Sequence, residues 1–329
     1  PPGYTGVMDR RDLLAAGLAG PLLPLAARAV PHGPLAPDAS INLWPGEAPG
    51  LLDRALQDHV AVRSADPGFP DRAMDHVRTP RLDIFRATQP NGAAMLVIPG
   101  GGYARVVVDK EGYELGPWLA ARGITAFVLF YRLPGDPWRD PSNVALADAQ
   151  RAMRLIRSRA AEWQVDPERV GAMGFSAGGH LCADLAARFG RKLHAPIDAA
   201  DALDARPIVA APIYPVVSMD PGFAHMGSRT LLIGKEATPG MATEHSPERQ
   251  VGAHTPPCFL CHAEDDATVP IQNTIALRAA LKAAGVPVET HLFEQGGHGF
   301  GWGPRTLGRP AHAWPELFLA WARGHGLLG

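Results

Sequence analysis

Cysteine is scarce in this chain, with Cys182, Cys258 and Cys261 the only three in 329 residues. An odd number in a chain of this length excludes a disulfide framework as the source of stability. Cys258 and Cys261 spell C-x-x-C, but the surrounding PPCFLCHAE reads as a buried strand, in which residues three apart face opposite sides of the sheet. A zinc or redox site is therefore not expected there. Runs of Lys and Arg are also missing, and the formal net charge is −2. Without a basic track to follow a phosphate backbone, nucleic acid is excluded as an expected partner. No internal repeat or low-complexity linker divides the chain, and its 46% hydrophobic content suffices for one large core.

The amino end has a character of its own. MDRRDLLAAGLAGPLLPLAARA places Arg10 and Arg11 ahead of an apolar stretch that closes on Ala27-Arg28-Ala29. That order reads as an export signal of the twin-arginine type over residues 1–29, with Met8 as the true start and PPGYTGV as upstream or vector-derived sequence. Pro21 and Pro24 interrupt any long helix, so the stretch is too short and too broken for a permanent membrane span. The expectation is an exported protein, periplasmic or extracellular, off the membrane once the signal is removed. Residues 30–329 are expected to form a single domain.

Beyond the Pro-rich segment that ends at LWPGEAPG, apolar runs alternate with helical patterns. The runs cover 93–99, 124–132, 169–175, 206–217, 258–263 and 288–294, and their few polar residues suit strands covered on both faces. Helical patterns cover 113–123, 143–164, 177–190, 270–285 and 313–326. This alternation predicts a doubly wound, mostly parallel α/β sheet with helices on both faces. In the second helical pattern, Arg151, Arg154, Arg157 and Arg159 read as a solvated face. Residues 220–255 lack strand character and read as a helical excursion near the carboxyl edge of the sheet, where a wall of a binding site often lies.

Gly174-Phe175-Ser176-Ala177-Gly178 fits G-x-S-x-G, and its setting matters more than the pattern. A buried strand runs into Phe175 and a helix starts at Ala177, the strand-turn-helix context that forces a serine up at a sheet edge. Glycines two before and two after leave room for so tight a turn. A serine hydroxyl needs a base to take its proton, and the base needs a group to orient it. Asp266 follows the buried strand in CHAEDDATVP, and His298 lies between glycines in FEQGGHGFG. Asp265 competes with Asp266 for the acid position, with Asp266 favoured and Asp265 read as a turn residue. Most of the other histidines, among them His180, His262, His291 and His312, read as surface or structural. VIPGGGYARV ends an early strand with bare backbone, so Gly101 and Gly102, with Ala177, are the expected oxyanion donors. Tyr103 is the expected substrate contact, and Trp138 and Trp302 are weaker aromatic candidates.

With these motifs the chain resembles the α/β-hydrolase superfamily, and more narrowly the secreted bacterial carbohydrate esterases of the acetylxylan-esterase type. The resemblance spans about residues 41–326 and rests on LWPGEAPG, PGGGYARVVVDKEGYELGPWLAARGITAFVLFYRLP, VDPERVGAMGFSAGGHLCADLA, TPPCFLCHAEDDATVP and EQGGHGFG. It implies a triad of Ser176, Asp266 and His298, an oxyanion loop after Pro99, no cofactor, and a small acyl ester or acetylated polysaccharide as substrate. Pro99 stands where lipase-like relatives carry a histidine that braces this loop, so the brace must come from elsewhere. The competing readings are a feruloyl or general carboxylesterase, an oligopeptidase-like serine peptidase, and a non-catalytic binding module. A peptidase of that kind carries a propeller domain for which the chain has no room.

Overall fold

The computed structural model describes residues 35–66 and 68–329, with Gly3 alone before them. The expected export signal lies outside the described residues. The main sheet has eight strands in the order β1-β4-β7-β5-β8-β9-β10-β11. All six apolar runs become strands of this sheet, the first five being β5 (Gly92–Ile98), β7 (Thr125–Phe130), β8 (Val165–Phe175), β9 (Ala210–Ile213) and β10 (Cys258–Ala263). In β7 and β10 every residue is buried, which is why neither alternates polar and apolar positions. β11 (Val288–Phe293) closes the parallel half against β10 and is only half-buried. β8 begins before its apolar run because Val165 pairs with Gly92 across a shift of register.

The amino-terminal strands were not apparent in the sequence. β1 (Ala39–Asn42) pairs antiparallel with β4 (Arg81–Phe85), and β4 pairs antiparallel with β7. β2 (His59–Val62), β3 (Arg72–His76) and β6 (Val106–Val107) make a separate three-stranded sheet. In β3 (RAMDH) and β4 (RLDIF) charged residues hide the pattern, and distant partners satisfy them. Asp83 on β4 accepts from Ser40 Oγ at 2.6 Å, and Arg72 on β3 pairs with the buried Asp109 at 2.6 Å.

The crossover helices are α1 (Leu115–Ala120), α2 (Pro141–Ser158), α3 (Ala177–Arg188) and α6 (Gln272–Ala283); α7 (Trp314–Arg323) ends the series. Between β9 and β10, residues 220–255 carry α4 (Met226–Ile233) and α5 (Pro239–Glu244). The solvated arginine face expected on α2 is corrected at Arg151, which is 1% exposed. It donates to Leu43 O and pairs with Asp198 and Asp201, so a long-range ion-pair cluster replaces solvent. Arg154 and Arg157 likewise bond carbonyls of residues 203–206 and Pro167. Cys258 and Cys261 lie inside β10, both buried. No helix of the described residues is long and apolar enough to cross a membrane.

Candidate active site

The carboxyl ends of β5, β8 and β10 and the loop after β11 converge on Ser176. This residue stands between β8 and α3 at φ 53° and ψ −117°, a left-handed φ that costs a non-glycine residue energy unless its surroundings enforce it. Backbone bonds on both sides enforce it. Ser176 N donates to Ile213 O at 3.1 Å, and Ser176 O accepts from His180 N and Val216 N, each at 3.0 Å. A Cβ at Gly174 would lie 2.1 Å from Gly178 O, and one at Gly178 would lie 2.2 Å from Ile98 O. Both glycines of the motif are thus required by close backbone approach.

Ser176 Oγ lies 2.9 Å from His298 Nε2, and His298 Nδ1 lies 2.7 Å from Asp266 Oδ2. With the serine proton directed at Nε2, the neutral imidazole carries its own proton on Nδ1 and donates it to Asp266. The Asp266 side chain is fully buried. Besides His298 it accepts from His262 Nε2 at 3.1 Å and from the amides of Thr268 and Val269, each at 2.9 Å. Burial alone would raise its pKa, but the bonds from His262 and His298 prevail and hold the carboxyl well below the usual aspartate range. Asp265 has a different task. Its Oδ1 accepts from the amides of Gly296 and Gly297 at 2.9 and 2.7 Å, tying down the loop that carries His298 rather than the imidazole itself.

The loop after β5 runs directly against the serine, since a Cβ at Gly100 would lie 2.5 Å from Phe175 O and 2.9 Å from Ser176 Cβ. Gly101, Gly102 and Tyr103 all have positive φ, at 128°, 68° and 63°. No acceptor among the described residues takes the N–H of Gly101, Gly102 or Ala177, so these amides remain available to a ligand. Three buried side chains brace the loop where the histidine is missing. Tyr131 Oη donates to Pro99 O at 3.0 Å, Glu111 Oε2 accepts from Gly100 N at 2.7 Å, and Tyr103 Oη lies 2.7 Å from His180 Nδ1. His180 Nε2 in turn donates to His245 O at 2.8 Å, which leaves Nδ1 as the acceptor of the tyrosine proton. Burial pulls the pKa of His180 down to about 4, keeping the ring neutral in that role.

Tyr103 therefore departs from the expectation of a substrate contact. Its side chain is 1% exposed and packs edge-on against Tyr131 and His180, because the positive-φ turn directs the ring into the interior. Trp138 is buried beside Arg132, and Trp302 packs on Trp118. Several site residues carried no signal in the sequence. Tyr214 at the end of β9 packs edge-on to His298 at 5.5 Å between ring centres and donates to Glu111 Oε1 at 2.9 Å. His225, just before α4, accepts from Ser228 N through Nδ1 at 3.2 Å, which leaves its Nε2–H free. Burial first, and then the nearby His298, lower its pKa.

The sheet, the serine turn and the Ser–His–Asp line define an α/β-hydrolase with an assembled serine triad. The BD-FAE family pattern matches residues 82–281, and the chain belongs to this family. The match takes in Ser176 and Asp266; His298 lies beyond it and is brought in by the fold. An acetylxylan esterase of Xylanibacter ruminicola is 35% identical over 228 residues, covering 68% of this chain and 44% of the relative. An endo-1,4-beta-xylanase B of Butyrivibrio fibrisolvens is 35% identical over 230 residues, covering 70% and 34%. The chain thus spans less than half the length of these curated relatives. Among solved structures, the acetyl ester-xyloside bifunctional hydrolase of Caldicellulosiruptor lactoaceticus superimposes with a TM-score of 0.72 at 31% identity, over 90% of this chain and 100% of that one. The carboxylesterase Cest-2923 of Lactobacillus plantarum, at 22% identity and a TM-score of 0.63, shares the fold.

Proposed function

We propose that this chain is a serine esterase that removes acetyl groups from carbohydrate through an acyl-serine intermediate. The observation that carries the reading is the continuous line from Ser176 Oγ through His298 to Asp266, at 2.9 and 2.7 Å, facing a loop whose amides are free. Ser176 Oγ attacks the ester carbonyl as His298 Nε2 takes its proton, and Asp266 stabilises the resulting imidazolium. The carbonyl oxygen becomes an oxyanion, which meets the N–H groups of Gly101, Gly102 and Ala177. Collapse breaks the bond to the sugar oxygen, which leaves with the proton from His298, and the acetyl group stays on Ser176. Water then attacks the acyl-serine while His298 Nε2 again takes the proton, and collapse breaks the bond to Ser176 Oγ, which recovers that proton as acetate departs. The named activities of the acetylxylan esterase and the acetyl ester-xyloside hydrolase support acetylated xylan-type carbohydrate as the substrate. The Arg10-Arg11 leader supports export, where a polymer is met, with no membrane attachment after the signal is removed.

The test is acetate release from acetylated xylan and from 4-nitrophenyl acetate by wild type and Ser176→Ala. The expected result is turnover of both by wild type and a loss on the order of 10³-fold or more in the variant. Activity on the small ester alone refutes the carbohydrate part, and activity independent of Ser176 refutes the mechanism.

A further inference from the structure

Beside His298 lies a cleft of about 390 Å³ whose wall includes Phe69, Lys110, Phe300, Arg305 and Arg309. The hydrolytic mechanism uses His298 alone among its lining residues. His298, whose Nε2 is 2.9 Å from Ser176 Oγ, lines this cleft, so the cleft adjoins the reacting pair. The volume lies in the range of small-molecule sites.

The cleft is built around cations. Arg305 is already neutralised, since Glu114 takes its Nε at 2.9 Å. Its guanidinium carbon also lies over the Phe69 ring, 5.4 Å from the ring centre. Arg309 bonds only a carbonyl, Gly296 O at 3.1 Å, and neither it nor Lys110 forms an ion pair among the described residues. The lysine is deliberately accommodated. A Cβ at Gly299 would lie 3.1 Å from Lys110 Nζ, and one at Gly301 would lie 3.2 Å from Lys110 Cγ, so its stem runs along the bare backbone that follows His298. Of the neighbouring acids, Asp109 is held by Arg72. Glu111 is 3% exposed and occupied by Gly100 N and Tyr214 Oη, and Asp265 is occupied by the amides of Gly296 and Gly297, so Lys110 and Arg309 are the cationic heads of the cleft without a carboxylate partner among the described residues. Phe69 is 45% exposed, a large aromatic face open to solvent at the same place. Such a face suits the apolar side of a sugar ring, and free Lys and Arg heads suit a carboxylate.

We propose that this cleft is a subsite for an acidic sugar: a uronate carboxylate meets Lys110 and Arg309 while its ring rests on Phe69, bringing an acyl group on the adjoining sugar to Ser176. The inference rests on the carbohydrate-esterase reading and narrows it to uronate-bearing polymers. The test compares kcat/KM for acetylated glucuronoxylan with that for the same polymer after its uronates have been reduced to neutral sugars. Wild type is expected to prefer the acidic polymer about three- to fivefold, the scale of one partly exposed ion pair. That preference should shrink in Lys110→Gln, return in Lys110→Arg, and shrink for wild type at high salt. Equal turnover of the two polymers by wild type, or an undiminished preference in Lys110→Gln, overturns the subsite while leaving the esterase reading intact. Failure to hydrolyse either polymer, with 4-nitrophenyl acetate still cleaved, overturns both. Relief of the preference by inorganic phosphate but not by free glucuronate would show a general anion site and also overturn the proposal.

Discussion

Replacing Tyr103 by Phe deletes one oxygen and leaves the ring, so it isolates the bond that ties the oxyanion loop to α3. In the native protein that hydroxyl donates to His180 Nδ1 at 2.7 Å, with His180 fully buried and its Nε2 committed to His245 O. The variant strands a buried acceptor that water cannot reach, a cost of about 1–3 kcal/mol. For a domain of this size that corresponds to a fall in Tm of roughly 2–5 °C. The catalytic consequence comes through geometry. Gly101 and Gly102, two and one residues before the lost anchor, are to meet the oxyanion, and loss of one such donor costs about 10²–10³ in kcat in other serine hydrolases. Tyr131 on Pro99 O and Glu111 on Gly100 N still hold the start of the loop, so the expected loss is smaller, about tenfold in kcat with KM within twofold. Steady-state kinetics on 4-nitrophenyl acetate, measured well below the variant's Tm, read this directly. A lower Tm with unchanged kcat would refute the claim that this tie positions the donors, and would leave it a plain stability contact.

The two neighbouring aspartates are expected to separate under mutation: Asp266→Ala, which removes the partner of His298 Nδ1, should lower kcat by 10³-fold or more. Asp265→Ala, which frees the amides of Gly296 and Gly297, should lower it by about tenfold; equal losses in a kinetic comparison would refute the division of roles. His180 makes stability depend on pH. Its folded pKa, about 4, lies below the unfolded value of 6.5, so the unfolded chain binds the extra proton and stability falls as pH drops from 6.5 through 4. Urea unfolding at pH 7 and pH 4.5 should show this loss, on the order of 2–3 kcal/mol. His180→Gln should flatten it, and an unflattened slope would refute the assignment.

The central strands were legible because burial on both faces leaves one kind of residue to write them with. β7, TAFVLF, and β10, CFLCHA, have no solvent side, so local composition carries the whole signal. β4, RLDIF, is just as buried over its last four residues, yet Arg81 and Asp83 disguise it. Their partners, Ser40 and Tyr113 for Asp83 and the Phe130 ring for Arg81, lie 30 or more residues away in the chain. Arg151 went astray for the same reason: a charge reads as solvent-facing until Asp198 and Asp201 are folded against it.

The same division runs through the site. Ser176, Asp266 and His298 each carry a local mark, since a nucleophile turn, an acid after a strand and a histidine among glycines are demanded by the backbone around them. The residues that hold these three in place carry none. Glu111 touches the oxyanion loop through Gly100 and the ring beside His298 through Tyr214, at sequence separations of 11 and 103. His262 supports Asp266 from within its own strand, looking in the sequence like any other buried-strand histidine. Tyr103 was misread for the opposite reason: its position beside the oxyanion glycines suggested substrate, whereas its φ of 63° turns it inward. A position next to catalytic backbone thus identifies the loop but leaves the side chain's direction open, and that direction decides whether a neighbour binds the ligand or braces the groups that do.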